Sequence, residues 1–248
     1  MQVHPKKLTN SLAERVVALG GEVRSGTTLL EVLLESDVVK GVKVRNAEAK
    51  EEVVKTGTVV LALGAWTSVT LKTACAPAHT SVRPEIAGHK VHSIVVRDSR
   101  QGDKRVSTSV FLQDEETGAD PEAYPRPDGT LYVCGNQGGR SYDSHPPQLA
   151  SEVGVEKDGS VSYLESVSAV LLGTDCQDVE TLERQACYLP TSSTGRPVIS
   201  QVPGISGLYV NAGHSCWGIL QGGISGKALA ELIGSGESRS VDLRPFAL

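Results

Sequence analysis

The sequence predicts an α/β fold whose middle section turns antiparallel. Three observations carry that prediction. A continuous apolar run over 58–63 ends in Gly64-Ala65-Trp66, as a strand covered on both faces and entering a glycine turn would. A second strand, 207–212, runs through a glycine-rich stretch into 227–233, which has helical spacing. Between about 77 and 190 the pattern changes to short β-rich runs broken by turn residues.

In chain order, His4-Pro5-Lys6-Lys7-Leu8 opens a helix, because proline suits the first turn and Leu8, Leu12, Val16 and Leu19 fall on one face. Gly20-Gly21 ends it. Strands are expected over 22–24, 28–34, 38–45 and 51–54, with turns at Glu35-Ser36-Asp37 and Asn46-Ala47. The run 82–97 reads as strand, turn and strand. Further strands are expected over 106–112 and 130–134, with a turn at Pro125-Arg126-Pro127-Asp128-Gly129. The acidic stretch 114–122 reads as a solvated loop, and 135–157 as a long polar one. A helix over 161–172, a segment 179–188 leading back, and a short strand at Pro197-Val198-Ile199 complete the pass.

The net charge of -5 and pI near 5.7 argue against a nucleic-acid surface, which would be basic and clustered. No apolar run approaches the roughly 18 residues of a membrane span, and the residues after Met1 are not a signal-peptide core. A cytoplasmic protein with no membrane partner is therefore expected. Cys75, Cys134, Cys176, Cys187 and Cys216 form no CxxC pair, which predicts neither a disulfide framework nor a zinc ribbon. His89 with His92, and His214 with Cys216, lack further ligands at metal-site spacing, so no metal is expected.

The stretch from Gly213 to Lys227 organises the rest. Glycines between a strand and a helix let main chain approach a ligand closely, and aim the helix's free N–H groups at it. That chemistry favours an anion or a ring that becomes anionic. A phosphate-binding P-loop is excluded, because Gln221 stands where glycine is required and Ala228 where Ser or Thr should bind magnesium.

On Gly213, His214, Gly218 and Gly226 at their spacing, the stretch resembles the C-terminal flavin loop of the D-amino-acid-oxidase superfamily of FAD-dependent oxidoreductases. Leu63-Gly64-Ala65-Trp66 resembles that family's turn past the FAD pyrophosphate, and the strand containing Leu29 resembles the one touching adenine. These pieces occur in the family's order, and the tail from Val241 to Phe246 resembles its ending. The resemblance implies an incomplete FAD-binding Rossmann-like domain, 1–76 and 190–248, with an inserted antiparallel substrate domain, 77–189.

It further implies FAD as cofactor, contacted by Leu29, Ala62, Leu63, Gly64, Ala65, Trp66, Gly213, His214, Trp217, Gly218, Ile219 and Leu220. The implied reaction is oxidation of a C–N bond in a small amine or amino-acid-like substrate, of the glycine- and sarcosine-oxidase kind. Cys187 falls where the monomeric sarcosine-oxidase branch attaches flavin covalently; a small buried residue is the plainer alternative. Tyr188 and Trp217 would wall the substrate cavity. Leu189 stands where amino-acid-oxidising relatives place a carboxylate-binding arginine, so that anchor is missing or comes from elsewhere, for example Arg83 or Arg196. His92 and His214 are candidate proton-transfer groups, the alternative for each being a structural hydrogen bond.

One departure is large. The family opens with a strand, a GxGxxG turn and a helix that hold the pyrophosphate, and no GxGxxG occurs here. The expectation is the C-terminal portion of a family member, binding FAD weakly alone and prone to associate with a missing N-terminal segment or with itself. A non-catalytic remnant that binds a partner without flavin is the alternative.

Overall fold

The computed structural model describes residues 2–75, 85–100, 105–136, 142–143, 146, 149–155 and 159–248. The elements run α1 (Pro5–Ala18), β1 (Thr28–Glu35), β2 (Val38–Arg45), β3 (Glu51–Lys55), β4 (Val59–Leu61), α2 (Thr67–Ala74) and β5 (Ile86–Arg97). There follow β6 (Val110–Phe111), β7 (Glu122–Pro125), β8 (Thr130–Gly135), β9 (Tyr142–Asp143), α3 (Ser160–Leu172) and β10 (Thr181–Ser192). β11 (Val198–Gln201), β12 (Leu208–Ala212) and α4 (Gly218–Ser235) end the chain. They form two compact units, Met1–Ile86 with Ser192–Leu248, and Ala87–Thr191.

The first unit holds two three-stranded sheets. β1, β2 and β3 form an antiparallel meander, and its alternating apolar positions send Val32 and Val39 into the core. In the other sheet β12 is central, antiparallel to β11 and parallel to β4. Leu61, Val198, Leu208, Val210 and Ala212 bury against the same core as the meander. The parallel pair is pinned at its start, where the Val59 N–H donates to the Gly207 carbonyl at 2.8 Å. Gly207 sits at φ +86°, and a Cβ there would lie 2.2 Å from the Gly57 carbonyl oxygen, so no other residue fits without moving backbone.

The second unit is a sheet in the order β10-β5-β8-β7-β6, with β9 also pairing β5. α3 covers one face, where Leu164 packs with Ile94, Val96, Ala123, Leu131 and Val133. Each such buried side chain is worth roughly 1.5–3 kcal/mol of transfer free energy. Gly173, at φ +65°, stops α3 in the left-handed conformation.

Several expectations are corrected. Residues 22–24 form no strand. The expected strand over 58–63 shortens to Val59–Leu61, and Val60 is exposed, because it stands on the sheet face opposite Leu61, which packs into the core. Residues 86–97 form one strand with no turn, since β9 pairs with Gly88 and His89 while β8 pairs with the stretch beyond. The strand expected over 106–112 contracts to Val110–Phe111, and β7 arises where a loop and a turn were expected. α2 was not foreseen. The final helix begins at Gly218, nine residues before the expected start, so the glycines lie inside it. The apolar stripe of α1 buries nothing, with Leu12 60% and Leu19 70% exposed.

Candidate functional site

In the first unit, β4 and β12 run side by side in register, Val59 opposite Leu208 and Leu61 opposite Val210. Parallel pairing puts both carboxyl ends at the same edge, so the two glycine turns emerge next to each other. The first turn, Ala62-Leu63-Gly64-Ala65-Trp66, has Gly64 at φ +55° and winds into α2 through a 3-10 turn. The second has Gly213 at φ +85° and Ser215 at φ +51°, the latter an uncommon conformation for a residue with a side chain. A Cβ at Gly213 would press on Ser192 Cβ at 3.3 Å.

α4 follows directly, and no side chain caps its N-terminus. Its first-turn N–H groups and the positive end of its dipole are therefore presented at the ends of the two strands. Gly218, Gly222 and Gly226 recur every fourth residue and share a helix face. A Cβ at Gly222, Gly223 or Gly226 would meet nothing within 4 Å among the described residues. Glycine costs a helix about 0.5–1 kcal/mol per position relative to alanine, and packing inside this unit does not repay it.

Three buried polar atoms at this edge have no hydrogen-bond partner: Thr67 Oγ1 beside the first turn, Asn211 Oδ1 near the end of β12, and Gln221 Oε1 in the first turns of α4. Burying such a group unpaired costs roughly 1–3 kcal/mol, so each of the three has hydrogen-bonding capacity that the described residues leave unused. His214 is half-buried beside them, with Nε2 2.8 Å from Ser225 Oγ. Because Ser225 donates its only hydroxyl proton to the Gln221 carbonyl at 2.8 Å, His214 Nε2 is the donor in that pair. Burial pushes the imidazole's pKa below its ordinary value, which keeps it neutral and leaves Nδ1 as an acceptor.

This edge suits a flat, electron-poor ring on geometry and donor set: glycines that admit close approach, free N–H groups, a helix dipole and orphaned polar atoms. The sequence matches the model of the FAD dependent oxidoreductase (DAO) family over residues 1–232. The chain belongs to that family. A Schizosaccharomyces pombe protein named as an oxidoreductase is 33% identical over 189 residues, which cover 75% of this chain and 44% of that protein. The glycine oxidase of Pseudomonas aeruginosa is 30% identical over 125 residues, 50% of this chain and 31% of the enzyme. Among solved structures, glycine oxidase from Geobacillus kaustophilus superimposes with a TM-score of 0.74 at 21% identity, covering 97% of this chain and 56% of that one. The chain thus spans less than half the length of the two sequence relatives, and it shares the mixed helix-and-sheet fold of the oxidase.

The structure brings Ala62, Leu63, Gly64, Ala65 and Trp66 to the same edge as Gly213, His214, Trp217, Gly218, Ile219 and Leu220. Trp217, Ile219 and Leu220 are exposed, Leu220 at 76%. Leu29 lies elsewhere in this unit, on β1, packed against the core. Arg196 is exposed and makes no ion pair among the described residues, and Arg83 lies outside them. In the second unit Cys187 is exposed on β10, with Tyr188 and Leu189 half-buried beyond it. His92 is buried there. Its backbone N–H and Nδ1 both reach Asn136 Oδ1, at 3.0 and 3.1 Å, while Asn136 Nδ2 donates to the Lys90 carbonyl at 2.7 Å. Such a bonded histidine holds two strands together. Sequence reasoning missed Thr67, Asn211, Gln221 and Ser225; an asparagine inside the apolar run Leu208-Tyr209-Val210-Asn211-Ala212 was the available signal.

No helix among the described residues is long and apolar enough to cross a membrane.

Proposed function

We propose that the edge formed by the Gly64 and Gly213 turns holds the isoalloxazine of FAD, and that the chain contributes this half of the cofactor site to an oxidoreductase. The substrate in this reading is a small amine or amino-acid-like compound oxidised at a C–N bond. The observation that carries it is the parallel register of β4 and β12, which sets both glycine turns and the uncapped end of α4 at one edge. FAD, when bound, supplies the acceptor for the two electrons leaving that bond. The first N–H groups of α4 would stabilise negative charge on the ring, and the Gly218, Gly222 and Gly226 face would let main chain lie against it. Asn211 Oδ1 and Gln221 Oε1 would accept hydrogen bonds from the ring's N–H groups, and neutral His214 would offer Nδ1 as a proton acceptor.

Titration of the folded 248-residue protein with FAD and with lumiflavin, read by flavin fluorescence, tests this. Weak saturable quenching by both compounds is expected, since these residues hold the ring rather than the pyrophosphate. Gly222→Val should abolish it while the far-UV circular dichroism stays unchanged. Absence of saturable quenching at millimolar flavin would reject the reading. A second reading, favoured by the exposed apolar stripe of α1 and the outward side of β4, is a flavin-free module that binds another polypeptide. It predicts that result, together with a concentration-dependent rise in molecular mass.

A further inference from the structure

In the first unit β3 ends its meander. The sheet runs β1-β2-β3, and among the described residues no strand pairs with the far side of β3. Hydrogen bonding decides which of its groups that side leaves open. The Thr56 N–H donates to the Lys40 carbonyl at 3.2 Å, and the Asn46 N–H to the Lys50 carbonyl at 3.0 Å. In the same register Val42 stands opposite Val54, and Val44 opposite Glu52. Hydrogen-bonded pairs of an antiparallel ladder come at every second residue, so the even-numbered residues of β3 bond to β2. Glu51, Val53 and Lys55 therefore aim their backbone N–H and C=O groups outward.

The side chains of those three share one face of the sheet, and Val53 is 56% exposed on it. Lys43 of β2 reaches Glu51 Oε2 there at 2.6 Å, while Lys55 makes no ion pair among the described residues. The order Glu51-Glu52-Val53-Val54-Lys55 is complementary to its own reverse. Two copies related by a two-fold axis normal to the sheet through Val53 run antiparallel, with Val53 opposite Val53 and each Glu51 opposite the other copy's Lys55. Such an axis preserves faces, so opposed side chains stand on the same side, and the outward N–H and C=O groups meet as hydrogen-bonded pairs. Neighbouring registers fit worse. An axis at Glu52 sets Glu52 against Glu52, and one at Val54 sets Lys55 against Val53 and Glu51 against Gly57. Opposite charges facing each other across strands attract and like charges repel, so the charges of this edge select one register.

We propose that β3 is a self-association edge, onto which a second copy of this chain adds its own β3 antiparallel, joining two three-stranded sheets into one. This goes beyond the flavin reading and stands without it, since β3 carries none of the residues at the glycine-turn edge. The contact involves five residues of each copy, so the dimer is weak and reversible.

Sedimentation of the folded 248-residue protein from micromolar to millimolar concentration should show a monomer–dimer equilibrium. Lys55→Glu and Glu51→Lys should each weaken it about tenfold, because the two-fold axis counts every altered pair twice. Mixing the two variants should restore association to the parent's level or beyond, since the acidic edge of one then faces the basic edge of the other. Val53→Pro removes an outward N–H while sparing the bonds to β2, and should abolish the dimer. Matching thermal melts for the variants exclude unfolding. A parent that stays monomeric at millimolar concentration, a dimer that survives Val53→Pro, or a mixture no stronger than either variant alone overturns the proposal. A dimer held instead through α1 or the outward side of β4 would ignore all three substitutions, and flavin titration of Val53→Pro should match the parent protein.

Discussion

The two units differ in how completely each satisfies itself. Ala87–Thr191 closes its core under α3, with Ile94, Val96, Val133 and Leu164 fully buried. The other unit buries a comparable core, yet leaves α1 with no buried residue, four glycines of α4 facing open space and four buried polar atoms unpaired, three of them at the edge of the two glycine turns. Folding accounts for the first pattern. Packing within the unit does not account for the second, which is what the proposed ligand edge requires.

Mutations that matter for packing should therefore separate the two regions. Leu164→Ala is expected to cost about 2–5 kcal/mol in urea unfolding, the usual range for a buried leucine, whereas Leu12→Ala on α1 should cost less than about 0.5 kcal/mol. Equal losses would erase the distinction. A smaller effect of opposite sign is expected on α4. Gly222→Ala and Gly226→Ala should each stabilise the protein by about 0.5–1 kcal/mol, since the added methyl meets no neighbour, and each should weaken flavin binding. Stabilisation without loss of flavin binding would mean that the glycine face touches nothing.

The smallest effect is the response to acid. Burial holds His214 below its ordinary 6.5, so as pH falls past that value the unfolded chain takes up a proton that the folded chain resists. Stability is thus complete above that value and declines below it. Urea midpoints at about pH 7.5 and about pH 5.5 should differ less in His214→Gln than in the parent. An unchanged difference would mean that His214 is not the group responsible.

Much of this was readable in the residues. The alternation in β1, β2 and β8, the proline that opens α1 and the glycine pair that ends it act locally, so local pattern finds them. The start of α4 was not readable, because four glycines in its first nine residues argue for a loop on propensity alone. The exposure of Val60 was hidden for another reason: whether one face of a strand or both are covered depends on distant partners, and an apolar triplet looks alike in both cases. β7 escaped because Pro125 closes it and reads as a turn. Of the candidate site, the glycines were legible from spacing. The orphaned oxygens of Thr67 and Gln221 were not, since only a fold reveals which polar side chains lack a partner.

The close approach of Gly207 to Gly57 works at a distance. β12 is five residues long, so this contact lies about 17 Å from the Gly213 turn, yet it decides which residue of β4 stands opposite which residue of β12. A single methyl group at 207 would push the two strands apart at their origin and misalign their far ends, like a ruler displaced at its zero mark. A lesion at that position should therefore look like a defect in ligand capture, although nothing bound at the turns would ever touch it.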